Sequence, residues 1–191
     1  EILLKIPENT ELFFACGSGV VNDITRFVSY KLQKPFISIA TACSMDGYAS
    51  TISPLVLNKL KNSFPAVPAR AIIADTDILV KAPAPMASAG FGDILGKVIA
   101  KTDWILSNTV NNEPINEKAM EMVENAVSEC IDLVLKVKKT SNGLKADLNT
   151  AEIAEALMRA LITAGLSMAI AGNSRPAAGS EHLISHFLGM K

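Results

Sequence analysis

One apolar run, FISIA (36–40), constrains this chain more than any other stretch. It reads as a buried strand behind Pro35. A strand-like run, ELFFAC (11–16), precedes it, with GSG (17–19) turning the chain into a segment of helical spacing at Val20, Ile24, Phe27, Val28 and Leu32. Strand, glycine turn, helix and strand in that order define an α/β protein, whose ligands bind at the carboxyl ends of the strands. TACSMDGYAS (41–50) begins at such an end. It offers the hydroxyls of Thr41, Ser44 and Ser50, the carboxylate of Asp46 and a flexible Gly47. Read alone, it is equally an ordinary polar loop.

The GSG turn has two readings. A helix start presents unpaired N–H groups and partial positive charge, and glycine lets a pyrophosphate approach the backbone. The dinucleotide fingerprint needs a third glycine, where this chain has Asn22, and an acid at the end of the next strand, where FISIA has none. The turn is therefore either structural or a phosphate loop of another kind.

Further along, TISPLVL (51–57) reads as a strand or hairpin arm, and 59–69 as a proline-punctuated loop. ARAIIAD (69–75) reads as a buried strand with DILV (77–80) as its short extension. Beyond Ala82 the pattern is helical throughout. A helix is expected over 85–108, interrupted around Gly90 and Gly92, and an amphipathic one over 116–139, stopped by SNG (141–143). Asn149 or Thr150 caps a third, over roughly 150–171 and apolar nearly all round. A loop (172–180) then leads into a final helix. The expected organisation is an α/β part over 1–82 followed by an all-helical part over 83–191.

Composition excludes several function classes. With 49% hydrophobic residues the chain can build a real core, and a net charge of −1 without a basic block argues against nucleic-acid or anionic-membrane surfaces. Cys16, Cys43 and Cys130 lack CxxC spacing and read as reduced core thiols of a cytoplasmic protein. The most apolar window, 160–171, is short for a membrane span. The sequence opens at Glu1 without a methionine, and its last helix is still running at Lys191, the pattern expected of a fragment. It is compatible with a homo-oligomer without requiring one.

Two more segments can carry chemistry. In AGFGDILGK (89–97), glycines precede Asp93 inside a helical run, which points to close packing or to ligand approach. In EHLISH (181–186), His182 and His186 share one helical face, a spacing that suits Zn, Ni or Fe and equally suits two solvated or capped histidines. Leu183 follows the first histidine where a helical zinc protease needs glutamate.

Together GSGVVND (17–23), TACSMDGYAS (41–50), AGFGDILGK (89–97) and GNSRPAAGSEHLISHF (172–187) resemble, in order and spacing, the sn-glycerol-1-phosphate dehydrogenases, the bacterial branch above all. These are members of the metal-dependent glycerol dehydrogenase and dehydroquinate synthase superfamily. The resemblance implies an incomplete Rossmann-like nucleotide-binding part followed by a helical, dehydroquinate synthase-like metal-binding domain. It implies that Gly19, Val20, Val21, Asn22 and Asp23 hold the pyrophosphate of NAD or NADP, and that Thr41, Ser44 and Ser50 line the dinucleotide. Asp46 would contact substrate near the nicotinamide. Asp93 and His182 would bind one divalent metal, Zn or Ni, with Asp93 also touching substrate, and His186 would hydrogen-bond substrate. Asp46, Asp93 and His186 are thus the implied catalytic residues. The implied substrate is a phosphorylated triose, dihydroxyacetone phosphate, reduced to sn-glycerol 1-phosphate. Alternatives are a polyol dehydrogenase acting on unphosphorylated glycerol and a non-catalytic fragment of the same scaffold, since the family's second metal histidine falls beyond this sequence. Lys97 and Arg175 are candidates for the substrate phosphate through their place beside the motifs.

Overall fold

Three parallel strands end level with one another, and that edge organises the fold. In this computed structural model, which describes residues 2–57, 60–140 and 150–189, β1 (Phe13–Gly17) pairs with β2 (Phe36–Ala40), Phe13 opposite Phe36 and Gly17 opposite Ala40. On the other side of β2 lies β5 (Ala71–Ala74), with Ile37 opposite Ala71 and Ala40 opposite Ala74, giving the order β1-β2-β5. The segments after Gly17, Ala40 and Ala74 therefore leave from the same edge of the sheet.

The crossover helix α1 (Gly19–Leu32) keeps Ile24, Phe27, Val28 and Leu32 of its apolar stripe at least half-buried but buries a polar face beside them and leaves Val20 out. Asn22, Arg26, Val28 and Ser29 are buried, whereas Val20 is 73% exposed. The cause is polar anchoring. The Arg26 guanidinium donates to Asp23 at 2.8 Å, to the Ile52 carbonyl at 3.0 Å and to the Gly47 carbonyl, and the Ser29 hydroxyl donates to the Lys34 carbonyl. Buried donors with acceptors in place hold loops to the helix, and that outweighs the pull of two valines.

The hairpin-arm reading of 51–57 holds, as β3 (Ile52–Leu57), but its partner β4 (Leu60–Pro65) occupies a stretch expected to be loop. Pro65 stands at the end of β4, opposite Ile52, where a missing N–H costs little. DILV is likewise not a strand extension. It forms α2 (Thr76–Leu79), because the Asp75 carboxylate accepts the Asp77 N–H at 2.9 Å and caps a helical turn.

The helical part consists of α3 (Ala84–Asn111), α4 (Glu117–Thr140), α5 (Ala151–Ala171) and α6 (Ser180–Gly189). Thr150 caps α5 by accepting the Ile153 N–H at 3.3 Å. The expected stop at 141–143 and the Asn149 cap lie outside the described residues. By length and composition α5 could cross a membrane, but half of its apolar window is buried against the rest of the chain. It contributes Leu157, Leu161 and Ala164 to a core that continues through Ile94 of α3 to Ala40, Cys43 and Tyr48. Cys43 and Cys130 are buried thiols, both pushed up to about 11 by desolvation. Cys16 is exposed on β1, contrary to the core position expected of it.

α3 runs unbroken through Gly90, Gly92 and Gly96, so the expected interruption is absent. Each interior glycine costs a helix about 1 kcal/mol relative to alanine, and tertiary contact accounts for Gly90 and Gly96 but not for Gly92. A Cβ on Gly90 would stand 2.0 Å from the Cys43 carbonyl oxygen, so only glycine lets α3 approach the loop after β2. A Cβ on Gly92 would meet nothing within 4 Å. Gly90→Ala is therefore expected to destabilise the protein by about 1–3 kcal/mol through overpacking, and Gly92→Ala to stabilise it by up to about 1 kcal/mol. Urea unfolding of the two variants beside the parent measures both.

Candidate active site

The loop from Thr41 to Ser50 is fixed from below by two helices and from the side by one arginine. Gly90 of α3 admits the Cys43 carbonyl, and a Cβ on Gly165 of α5 would lie 2.6 Å from the Asp46 carbonyl oxygen. The Tyr48 hydroxyl donates to the Ala42 carbonyl at 2.7 Å, and Arg26 holds the Gly47 carbonyl. With its backbone gripped in this way, the loop turns Asp46 toward α3.

There it meets a buried ammonium. Lys97 is 1% exposed, and its three donors all have acceptors: Asp46 Oδ2 at 2.6 Å, Asp93 Oδ1 at 2.7 Å and the Ala177 carbonyl at 2.9 Å. Asp93 Oδ2 accepts the Asp46 backbone N–H at 2.7 Å. One ammonium thus joins the strand-end loop, α3 and the loop before α6. Burial works against its charge, but the two adjacent carboxylates prevail and hold Lys97 above the ordinary lysine range. Burial pushes the Asp46 carboxyl up and the charge of Asp93 adds to that, with Lys97 opposing.

His182 completes the cluster from α6. Its Nε2 lies 3.7 Å from Asp93 Oδ1, and its Nδ1 lies 2.7 Å from Glu181 Oε1. The start of α6 is itself held by α3, since Asp103 Oδ2 accepts the Ser180 N–H at 2.6 Å. That hydrogen bond keeps the Asp103 carboxyl below its usual range.

Asp23, Asp46, Ser50, Asp93 and His182 all line one cleft of about 1040 Å³, which also receives Asp103 and Arg175. This is ample for a small substrate together with part of a dinucleotide. The remaining implied cofactor residues lie at the strand-end edge outside that lining. Ser18 makes no side-chain cap on α1; its hydroxyl pairs instead with that of Ser44 at 2.5 Å. The helix start at Gly19, Val20 and Val21 carries its backbone N–H groups without competition from that hydroxyl. Asn22 is fully buried and its backbone N–H donates to the Ser18 carbonyl at 3.0 Å, so the implied phosphate contact falls to its neighbours Gly19, Val20 and Val21. The Thr41 N–H donates to the Gly17 carbonyl at 3.3 Å, and the Ser50 hydroxyl donates to the Ile52 carbonyl at 3.1 Å. The side chain of His186 lies outside the described residues.

One expectation is corrected here. Lys97 cannot reach out to a substrate phosphate, because it is buried with every donor engaged. Arg175 is paired as well, its Nε donating to Glu113 Oε1 at 2.9 Å and its Nη2 lying 2.7 Å from Glu113 Oε2, while Ser107 donates to the same carboxylate at 2.6 Å, but its side chain stays 39% exposed and lines the cleft. Proximity to a motif in sequence did not reveal these partners. The Asp93–Lys97 spacing of four within a helical run was a visible signal for the pair; the contribution of Asp46 was not.

Among the described residues no group of three His, Cys, Asp or Glu side chains forms a metal cage. Asp93 and His182 nevertheless fit part of one. Carboxylate oxygen and imidazole nitrogen at bonds of about 2.1 Å in tetrahedral geometry stand roughly 3.4 Å apart, and the observed 3.7 Å is close to that.

Comparison with known proteins shows what this chain is similar to. Residues 2–83 match the family model described as iron-containing alcohol dehydrogenase. The fold is shared with glycerol dehydrogenase from Schizosaccharomyces pombe, at a TM-score of 0.73 and 19% identity over 98% of this chain and 47% of that one. It is shared also with sulfoacetaldehyde reductase from Bifidobacterium kashiwanohense in complex with NAD+, at 0.66 and 17% over 95% and 48%. In sequence the chain is similar, along essentially its whole length, to proteins named glycerol-1-phosphate dehydrogenase [NAD(P)+]. It is 40% identical to that of Bacillus velezensis over 99% of this chain and 46% of the relative, and 37% identical to that of Methanococcus aeolicus over 94% and 49%. The chain spans about half the length of the curated relatives it matches.

Two outcomes test this architecture. Lys97→Met would leave two carboxylates without their buried counter-charge and is expected to cost about 3 kcal/mol in urea unfolding. For Asp103 the folded-state pKa is depressed, so its contribution is present above the unfolded aspartate range and is lost as pH falls through the folded value. The difference in Tm between the parent and Asp103→Asn should therefore be largest near neutral pH and shrink on acidification.

Proposed function

We propose that this chain carries the cofactor and metal side of an NAD(P)-dependent glycerol-1-phosphate dehydrogenase, which reduces dihydroxyacetone phosphate to sn-glycerol 1-phosphate for polar-lipid synthesis in the cytoplasm. The observation that carries the reading is the convergence of Asp46, Asp93 and His182 in one cleft beside a parallel-sheet edge. The names of the relatives support it. So does the change from strands with helices before Ala82 to helices alone after it, among the described residues.

The N–H groups at Gly19–Val21 bind the pyrophosphate, aided by the helix dipole. Asp93 and His182 would hold the metal, since a carboxylate with an imidazole accepts Zn or Ni alike. A bound divalent metal would supply Lewis acidity at the ketone oxygen, and NAD(P)H would supply the hydride. Asp46 orients the substrate by accepting a hydroxyl hydrogen bond, and Lys97 keeps its carboxylate and that of Asp93 in register. His186, one turn beyond His182, delivers the proton to the new hydroxyl oxygen.

The test follows NADH and NADPH oxidation by the intact gene product with dihydroxyacetone phosphate and with dihydroxyacetone. Turnover should favour the phosphorylated ketone, stop with chelator, return with Zn or Ni, and be abolished by Asp93→Asn. Turnover untouched by chelator overturns the metal reading. Preference for the unphosphorylated ketone makes the protein a polyol dehydrogenase.

A further inference from the structure

We propose that Glu181 is a positioning residue for His182, holding its imidazole in the tautomer whose Nε2 lone pair faces Asp93. The inference rests on reading Asp93 and His182 as the metal donors, and it names what makes that histidine a donor.

Neighbouring residues on a helix point about 100° apart, and their side chains meet only where something lets one fold back. Glu181 folds back here, and its Oε1 reaches His182 Nδ1 at 2.7 Å. Two glycines make the room. A Cβ on Gly96 of α3 would stand 3.3 Å from Glu181 Cγ, and a Cβ on Gly179 would stand 2.7 Å from Glu181 Oε2. The slot thus admits a carboxylate between two backbones and little else. The same Oε1 also accepts the Gly179 N–H at 3.0 Å, which fixes the carboxylate independently of the histidine. Oε2 is buried without a hydrogen-bond partner. A helix start gains nothing from an orphaned carboxylate oxygen, and a surface capping residue would turn it to water. Such a cost suits a carboxylate retained for its effect on a neighbour.

The effect follows from imidazole chemistry. A carboxylate at Nδ1 accepts its hydrogen, so in the neutral ring Nε2 carries the lone pair. Nε2 is the atom 3.7 Å from Asp93 Oδ1. A carboxylate behind a ligating histidine also raises the basicity of the ring, and losing such a partner typically lowers metal affinity by about 10–100-fold.

The experiment compares the intact gene product with Glu181→Gln and Glu181→Ala. Zn and Ni affinities are measured by chelator competition, and His182 is read in long-range ¹H–¹⁵N spectra of the metal-free proteins. Glu181→Gln keeps an acceptor of the same shape and is expected to retain the Nδ1–H tautomer, with affinity lowered about tenfold. Glu181→Ala is expected to lose that tautomer and about 100-fold in affinity. A role confined to capping α6 would lower Tm in the alanine variant while leaving tautomer and affinity unchanged, and that result overturns the proposal. So does a parent protein whose His182 carries its hydrogen on Nε2. A parent with the Nδ1–H tautomer that binds neither metal overturns the metal reading and this inference toward it, whereas a metal-binding parent whose variants bind within about twofold overturns the inference alone.

Discussion

The site depends on one buried positive charge. The Lys97 ammonium satisfies Asp46, Asp93 and the Ala177 carbonyl together, and each acceptor belongs to a different segment. Two carboxylates as close as Asp46 and Asp93 repel each other, and burial strengthens that repulsion. The ammonium turns the repulsion into a joint. It ties the loop at the sheet edge to α3 and ties α3 to the loop that leads into α6. A cation so engaged cannot serve a ligand, so the lysine is part of the scaffold of the cleft.

The second constraint is steric. Gly90 and Gly165 let α3 and α5 approach the backbone of the 41–50 loop more closely than any side chain allows. The loop is then rigid because helices occupy the space beneath it, and Arg26 holds it from α1 through the Gly47 carbonyl. Rigid support under a loop of hydroxyls and one carboxylate is what a site for a small polar substrate requires, because orientation is lost when the supporting groups move. Glycines in a helix, costly by propensity, are recovered as proximity.

Much of this was legible in the residues. The FISIA strand, the glycine turn into α1, the amphipathic α4 and the apolar α5 with Thr150 at its start all follow from local patterning. What was misread shares one cause. Val20 belongs to a helical apolar stripe but is exposed, because Arg26 and Ser29 have acceptors on other segments. Residues 60–65 look like loop until β3 lies beside them. Lys97 looks available for an anion until Asp46 arrives from far along the chain.

The sequence by itself determined the element types, the α/β-then-helical order and the residue kinds of four motifs, because periodicity, capping and glycine placement are local properties of the backbone. Only the tertiary structure decided which of those residues share a cleft, that the Lys97 ammonium is already engaged and which ring nitrogen of His182 faces Asp93. Those outcomes turn on pairs separated by tens of residues, and an electrostatic or steric partner has no signature in the sequence around the residue it engages.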